Sequence, residues 1–364
     1  MPKREKRAEP RCPPQPPTSP GTDLLDALRD GVDSPTPGPL LGAVGLLLSV
    51  AAGADDPAAT LDELVGSLTG VDRVETSAAV LAIATLTVDT DLRRRVRRGI
   101  AERGHVLPRW LAELDRSEPV DRAVEVSTVF RDVDTLLVGV TVPGGHPLTA
   151  VVHIENEIGG LVSDGYVVQS PLATVVPLLT GDGNPDVRAL DVSPADARAR
   201  IAAGLRFGPW PWVSESWTRS RPIVEWMASR LPEGGRDDVR QDLSDDEMDE
   251  LVDRFLASSD PWLRRQLGEL VEGVLWAGHS NGVGDPLAWS PSNVRRLLHP
   301  DLSALDPGTP HLARAPDVLR DLIRFGHAER GLRQGLTDDA LAAVDASAGA
   351  FLEAVRRLEE DDAD

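Results

Sequence analysis

Four side chains that could bind a ligand lie close together in the segment VVHIENEIGGLVSDGYVV, residues 151–168. His153, Glu155 and Glu157 occupy alternate positions, and Asp164 follows a pair of glycines. Because side chains alternate between the two faces of a β-strand, the first three are predicted to share one face. Oxygen ligands from Glu155, Glu157 and Asp164 would suit a divalent cation such as Mg²⁺, Mn²⁺ or Ca²⁺. This pattern is compatible with a carboxylate-dependent metal hydrolase.

The same pattern has a simpler interpretation as the solvent-facing side of a strand. A half-buried antiparallel strand exposes charged residues on one face, and a Gly-Gly pair is typical of a hairpin turn. No second cluster in the sequence completes a coordination shell, so we favour this interpretation over the metal site. Gly159 and Gly160 would still allow another group to approach the backbone closely, because they carry no side chain.

Two stretches of the sequence together resemble a group of actinobacterial proteins to which no activity is assigned. They are VHIENEIGGLVSDGYV (152–167) and GDPLAWSPSNV (284–294), and the second is similar to the group's Asp-Pro-Leu-x-Trp-Ser-Pro signature. The resemblance covers roughly residues 120–350 and implies one architecture and a common site location. It places Asp285 and Trp289 beside the earlier set as candidate binding residues: Glu155, Glu157, Gly159, Gly160 and Asp164.

This chain departs from the group's pattern at several of these positions. Residues 155–157 read Glu-Asn-Glu where the group has aspartate-histidine-asparagine, and Ser163 stands where the group has lysine. Asp164 and Tyr166 keep the pattern. The resemblance therefore implies that an active site shared by the group would be altered or lost in this chain.

A second motif, GHSNG at residues 278–282, matches the G-x-S-x-G nucleophile elbow of α/β-hydrolases. That chemistry needs the serine on a strand-to-helix turn, but the preceding residues 261–277 have helical spacing and a proline follows closely. We therefore predict a helix end and a loop rather than a catalytic serine. No P-loop, dinucleotide-binding or zinc-peptidase motif occurs, so no cofactor is predicted besides the cation considered above.

Composition restricts the classes of protein that remain. The chain has 364 residues, a net charge of −21 and a single cysteine, Cys12, so it can form no internal disulfide and we expect a reducing cytoplasm. Strong negative charge repels nucleic acid, and the one basic cluster, Arg93–Arg98, is predicted to be a solvated helix face. The most apolar run, residues 40–53, is too short to span a membrane and is predicted to be a buried helix.

The periodicity of apolar residues predicts an α+β protein. Residues 1–22 are rich in proline and lack an apolar period, so a disordered tail is predicted. Residues 23–116 have helical spacing, residues 120–208 alternate like an antiparallel meander with flanking helices, and residues 209–364 return to helical spacing. We expect these three stretches to be separate domains, because a chain of this length usually contains two or three.

The favoured function is that of a non-catalytic cytoplasmic protein that acts by binding an unknown protein partner. Its recognition surface is predicted at Gly159–Asp164 and Asp285–Trp289. The alternative is an enzyme, the metal hydrolase that uses Glu155, Glu157 and Asp164. Association with nucleic acid through Arg93–Arg98 is the weaker third hypothesis, and no membrane is expected among the partners.

Overall fold

The computed structural model describes residues 20–181, 183–207, 214–258, 266–301 and 305–361. The first helix already begins at Pro20, so only residues 20–22 of the predicted disordered tail fall within this range, and they are helical. Along the described chain, helices precede and follow a central antiparallel sheet, which confirms the predicted α+β class. The chain divides into two compact units, Met1–Leu114 and Asp115–Asp364.

The first unit is helical, as predicted for residues 23–116. Its central element is α4, in which every residue from Glu75 to Leu86 is buried, because small and apolar side chains cover its whole circumference. The apolar run at 40–53 forms the predicted buried helix, α2. The helices of this unit are α1 (Pro20–Asp33), α2 (Gly38–Ala52), α3 (Pro57–Gly70), α4 (Val74–Leu86), α5 (Thr90–Arg103) and α6 (Arg109–Ala112).

The second unit contains a five-stranded sheet in which each pairing is antiparallel. The first four strands form the predicted meander, and the fifth pairs with the free side of the first, so that the order is β4-β3-β2-β1-β5. The strands are β1 (Glu118–Thr128), β2 (Val133–Val142), β3 (His146–Glu155), β4 (Leu161–Val168) and β5 (Val187–Val192).

Helices cover both faces of this sheet. One face packs on α7 (Leu172–Thr180) through an apolar cluster: Val124, Val126, Leu137, Val151, Leu172 and Val175. The other face carries α8 (Pro194–Leu205) and α9 (Glu215–Ser229), and the Trp217 ring of α9 lies so close to Gly165 of β4 that a Cβ there would be 3.0 Å from it. Strands β2 and β3 are therefore buried on both faces over most of their length, because their apolar runs are continuous. At the end of β3, His153 and Glu155 are partly exposed while Val152 and Ile154 are buried.

The remaining helices follow in the same unit and enclose a separate apolar core. Trp289, Phe255 and Leu319 are among its most buried members. The helices are α10 (Asp245–Ser258), α11 (Gly268–Ser280), α12 (Pro291–Leu297), α13 (Ala315–Glu329) and α14 (Gln334–Asp361). Within the described ranges, no helix is both long and apolar enough to cross a membrane.

The predicted boundary between residues 208 and 209 lies inside the second compact unit, Asp115–Asp364. The reason is that α9, although it follows that boundary, packs on β4 of the sheet. Ser220 of α9 accepts a hydrogen bond from the Val167 backbone N–H at 3.2 Å, and Ser214, the N-cap of α9, donates to Asp164 at 2.7 Å. Burial of Trp217 against the sheet holds the helix there.

Candidate functional site

The β3–β4 connection is a tight turn whose backbone angles favour glycine. After β3, residues Asn156–Ile158 form one 3₁₀ turn, and Gly159 and Gly160 follow with φ of +82° and +78°. Side chains are disfavoured at these left-handed angles, which explains the glycine pair. The Gly160 N–H donates to the Glu155 carbonyl at 2.9 Å and closes the turn.

Each of the three predicted metal ligands accepts a hydrogen bond from a different serine. Ser163 donates to Glu155 at 2.8 Å. Ser292 donates to Glu157 at 2.9 Å. Ser214 donates to Asp164 at 2.7 Å. The three carboxylates are thus held toward three separate segments of the chain.

The structure does not assemble the predicted metal site. Glu157 lies beyond the end of β3, in the 3₁₀ turn, so it does not share the strand face of His153 and Glu155. Within the described part of the chain, no group of three or more His, Cys, Asp or Glu residues is arranged to hold a metal ion. His153 instead bonds through Nδ1 to Thr135 Oγ1 at 3.0 Å, and burial lowers the pKa of this imidazole although Asp164 and Glu155 oppose the shift.

Asp132, a carboxyl group outside the predicted set of ligands, lies beside this turn. The Asn156 N–H donates to the Asp132 carbonyl at 2.9 Å, and Asn156 Nδ2 donates to the Arg131 carbonyl at 2.8 Å, so the β1–β2 and β3–β4 turns are bonded together. Burial and the nearby charge of Glu157 raise the pKa of Asp132 to about 7, against a hydrogen bond from Ser290 that lowers it. This carboxyl therefore takes up and releases a proton near neutral pH.

The segment 285–293, more than a hundred positions later in the sequence, contacts the β1–β2 and β3–β4 turns. Ser290 caps α12 by accepting the Asn293 N–H at 3.0 Å, and its neighbour Ser292 reaches Glu157. Asp132 Oδ1 and Glu157 Oε1 are buried and accept no hydrogen bond from the residues that the structure describes. The two stretches that carry the resemblance, 152–167 and 284–294, thus meet at one place.

Two of the predicted binding residues hold this segment in place and are not free to contact a partner. Trp289 is 1% exposed, and its carbonyl lies 3.1 Å from His327 Nε2. Asp285 receives two hydrogen bonds from the Arg330 guanidinium, at 2.8 and 2.9 Å. Burial lowers the pKa of His327 against the opposing hydrogen bond to Trp289. Because a carbonyl oxygen can only accept, we assign Nε2 as the donor to Trp289.

A cavity of about 470 Å³ opens on the other side of the Gly159–Gly160 turn. Phe207 stands at its edge with 63% of the residue exposed, and its ring touches the space above Gly159. Arg206 and Asp237 form an ion pair of 3.2 Å in the cavity wall. Gly159 and Gly160 are the predicted site residues that line this cavity. Glu155 and Glu157 hold the turn through their serine partners, while Asp164 joins β4 to the start of α9.

The inner wall of the cavity is built on a buried network of ion pairs. Arg200 of α8 bonds to Glu125 and, at 2.6 Å, to Asp134, which lie on adjacent strands. Arg131 also bonds to both carboxylates. Two arginines thus neutralise two carboxylates, and this pairing fixes α8 against the sheet.

The GHSNG motif and the basic cluster Arg93–Arg98 both involve helices. Ser280 of GHSNG is the last residue of α11, and His279 Nδ1 bonds to the Gly284 carbonyl at 2.8 Å, so the motif is the predicted helix end. The residues Arg93–Arg98 lie on α5 in the first unit. Arg94 pairs with Asp91, and Arg97 donates to the Ala112 carbonyl at 2.9 Å, so part of this cluster is used within the unit.

The sequence alone did not indicate Asp132, Ser292, Arg200 or Phe207, and it indicated Ser290 only as the start of a helix. A pair of acidic residues in the FRDVD turn was the only local sign of Asp132. Nothing in the spacing indicates that residues 132 and 157 meet residues 290–292. Comparison with protein-family models, with curated proteins and with solved structures gives no match for this chain.

Proposed function

We propose that the protein is a non-catalytic binding protein that takes a short segment of a partner protein into the cavity beside Gly159 and Gly160. The observation that carries this proposal is the exposed ring of Phe207 at the mouth of a cavity of about 470 Å³. Cavities of roughly 300–1,000 Å³ are typical of ligand pockets, and an aromatic ring at the mouth of such a cavity offers apolar area that a bound partner would bury.

The charges around the cavity support a partner segment with an apolar anchor beside a basic residue. Phe207, Ala203 and Val239 offer an apolar surface, and Asp238 supplies negative charge at the wall, where Asp237 is already paired with Arg206. A net charge of −21 would further attract a basic segment over longer distances. Because serine–carboxylate bonds at Glu155 and Glu157 hold the turn, little ordering would be needed on binding.

We place this activity in the cytoplasm, since a chain with one cysteine needs no oxidising compartment. Nucleic acid is not assigned as a partner, in keeping with the negative charge of the chain. The metal hydrolase is not proposed, because none of the described carboxylates forms a ligand set with two other potential ligands.

Selection of peptides from a random displayed library tests the proposal. We expect enriched peptides to share an aromatic or large aliphatic residue next to Lys or Arg, and to lose at least about tenfold in affinity for Phe207→Ala, which removes one hot-spot contact. Leu178→Ala is the matched control, because Leu178 is also a large exposed side chain of the same unit and does not line the cavity. A library that yields no such peptides, or peptides that bind the two variants equally, would refute the proposal.

A further inference from the structure

A second cavity lies wholly within the first unit, between α3 and α5 and above α4. Its volume is about 510 Å³, and its apolar wall includes Val65, Val80, Val96 and Ile100. Glycines on the two flanking helices leave this space open. A Cβ added at Gly66 or Gly99 would meet nothing within 4 Å.

The edge of this cavity is cationic. Arg95 and Arg103, both on α5, belong to its lining. Arg103 is oriented by its hydrogen bond to the Thr69 carbonyl, at 2.7 Å, and lies 3.6 Å from Asp72. Arg95 makes no hydrogen bond or ion pair with any residue that the structure describes. Positive charge at an apolar cavity is notable in a chain whose net charge is −21.

The cavity also has one fixed polar group. Ser77 lines it, and Ser77 Oγ lies 2.9 Å from His105 Nδ1, while His105 Nε2 lies 3.3 Å from Asp72. This order of contacts holds the imidazole rigidly between α4 and the α3–α4 connection. The Ser77 N–H is already bonded to the Arg73 carbonyl at 3.2 Å, so it cannot stabilise an oxyanion, and we read the three residues as a brace rather than a nucleophile.

We propose that this cavity binds a small amphipathic carboxylate, with the hydrocarbon chain between α3 and α5 and the carboxylate on Arg95 and Arg103. Apolar walls favour the hydrocarbon because its transfer from water is favourable in proportion to the area buried. The guanidinium groups match the planar carboxylate and can donate two parallel hydrogen bonds. The basic face of α5 therefore has a use that does not involve nucleic acid, and this proposal is independent of the partner-binding site in the second unit.

Titration calorimetry of the full chain with decanoate, below its micelle concentration, and with decanol tests this inference. Decanoate is expected to bind one site per chain, and decanol to bind at least about tenfold more weakly, because it lacks the charge that the arginines recognise. Arg95→Gln should weaken decanoate binding by about tenfold. Arg98→Gln, which removes one charge from the same helix outside the cavity lining, should not change it.

A glycine substitution makes the test independent of charge. Gly66→Leu fills the cavity and should abolish decanoate binding without loss of thermal stability, since its Cβ meets no neighbour and leucine favours a helix. Gly42→Leu is the control, because Gly42 lies on α2 with equally open space and does not line the cavity. Absence of decanoate binding, equal binding of decanol, or decanoate binding that survives Gly66→Leu would each overturn the proposal.

Discussion

Ser292 Oγ donates a hydrogen bond of 2.9 Å to Glu157 Oε2 across 135 positions of sequence. Arg296, one turn further along α12, lies 3.6 Å from the same carboxylate oxygen. These contacts join the β3–β4 turn to the start of α12, and they hold one side of the glycine turn whose other side forms the cavity. The relationship explains why two distant stretches of the sequence act as one structural element.

A double-mutant cycle measures this contact directly. We expect Glu157→Ala and Ser292→Ala to show a coupling energy of about 1 kcal/mol in denaturant unfolding, because the pair shares a largely buried, charge-assisted hydrogen bond. The cycle of Glu157→Ala with Ser214→Ala is the control, since Ser214 bonds to Asp164 instead, and its coupling should be near zero. Equal coupling in the two cycles would show that the contact is not formed.

The pH dependence of stability should report Asp132. Its raised pKa, about 7, means that the folded protein keeps a proton that the unfolded carboxyl releases near pH 4. The folded state binds more protons in this interval, so the contribution of Asp132 to stability is full below about pH 4, falls as the pH rises to about 7, and is constant above.

Replacing the Asp132 carboxyl with a neutral amide should remove the fall in stability between about pH 4 and 7. Asp132→Asn should raise the free energy of unfolding at pH 8 by about 2 kcal/mol and flatten the profile between pH 4 and 7. The measurement is urea unfolding at a series of pH values, with the exposed Asp301→Asn as control. A variant that is less stable than the unchanged protein at pH 8 would contradict the assignment.

The buried ion-pair network makes a third prediction. Arg200→Met should lower the free energy of unfolding by about 3–5 kcal/mol, because it leaves Glu125 and Asp134 buried with only Arg131 as a cation. Arg206→Met, which removes an arginine just beyond α8 in an exposed pair, should cost less than about 1 kcal/mol. Chemical denaturation distinguishes the two, and equal costs would disprove the structural role of Arg200.

The packing of α8 behind the glycine turn gives a fourth prediction. A Cβ at Gly204 would lie 2.7 Å from the Gly160 carbonyl oxygen, so Gly204→Ala must displace the turn and should cost about 2 kcal/mol despite the better helix propensity of alanine. Gly349→Ala in α14, where the Cβ meets nothing within 4 Å, should instead stabilise the protein slightly. A Gly204→Ala variant as stable as Gly349→Ala would show that the turn does not contact α8.

Local patterns in the sequence were sufficient to predict the fold class and the order of its elements. Alternation of β-branched residues marked β1 to β4, and Ser193-Pro194 and Ser290-Pro291 mark the starts of α8 and α12. The packing of α7 on one face of the sheet and of α9 on the other could not be predicted, because periodicity within a strand does not show what covers it. The contact of Trp217 with β4 could not be predicted for the same reason, since it joins residues that local patterns treat separately.

The candidate site was predictable only in part. The glycine pair identified the turn, because glycine has a local conformational meaning that the sequence displays. Asp132 and Ser292 could not be found in this way, since their roles arise from contacts between segments far apart in the chain. The alternation of residues 153–157 places Glu157 on β3, but the strand ends at Glu155 and Glu157 lies in the following 3₁₀ turn.

The central claim, that the cavity beside Gly159 and Gly160 is the recognition site, is tested most directly by hydrogen exchange. Amide exchange of the full chain would be measured with and without the tightest peptide from the displayed library. We predict that bound peptide slows exchange in residues 155–164 and 200–207, and leaves α13 unchanged. Slower exchange confined to regions away from these residues, or no change at saturating peptide, would contradict the account.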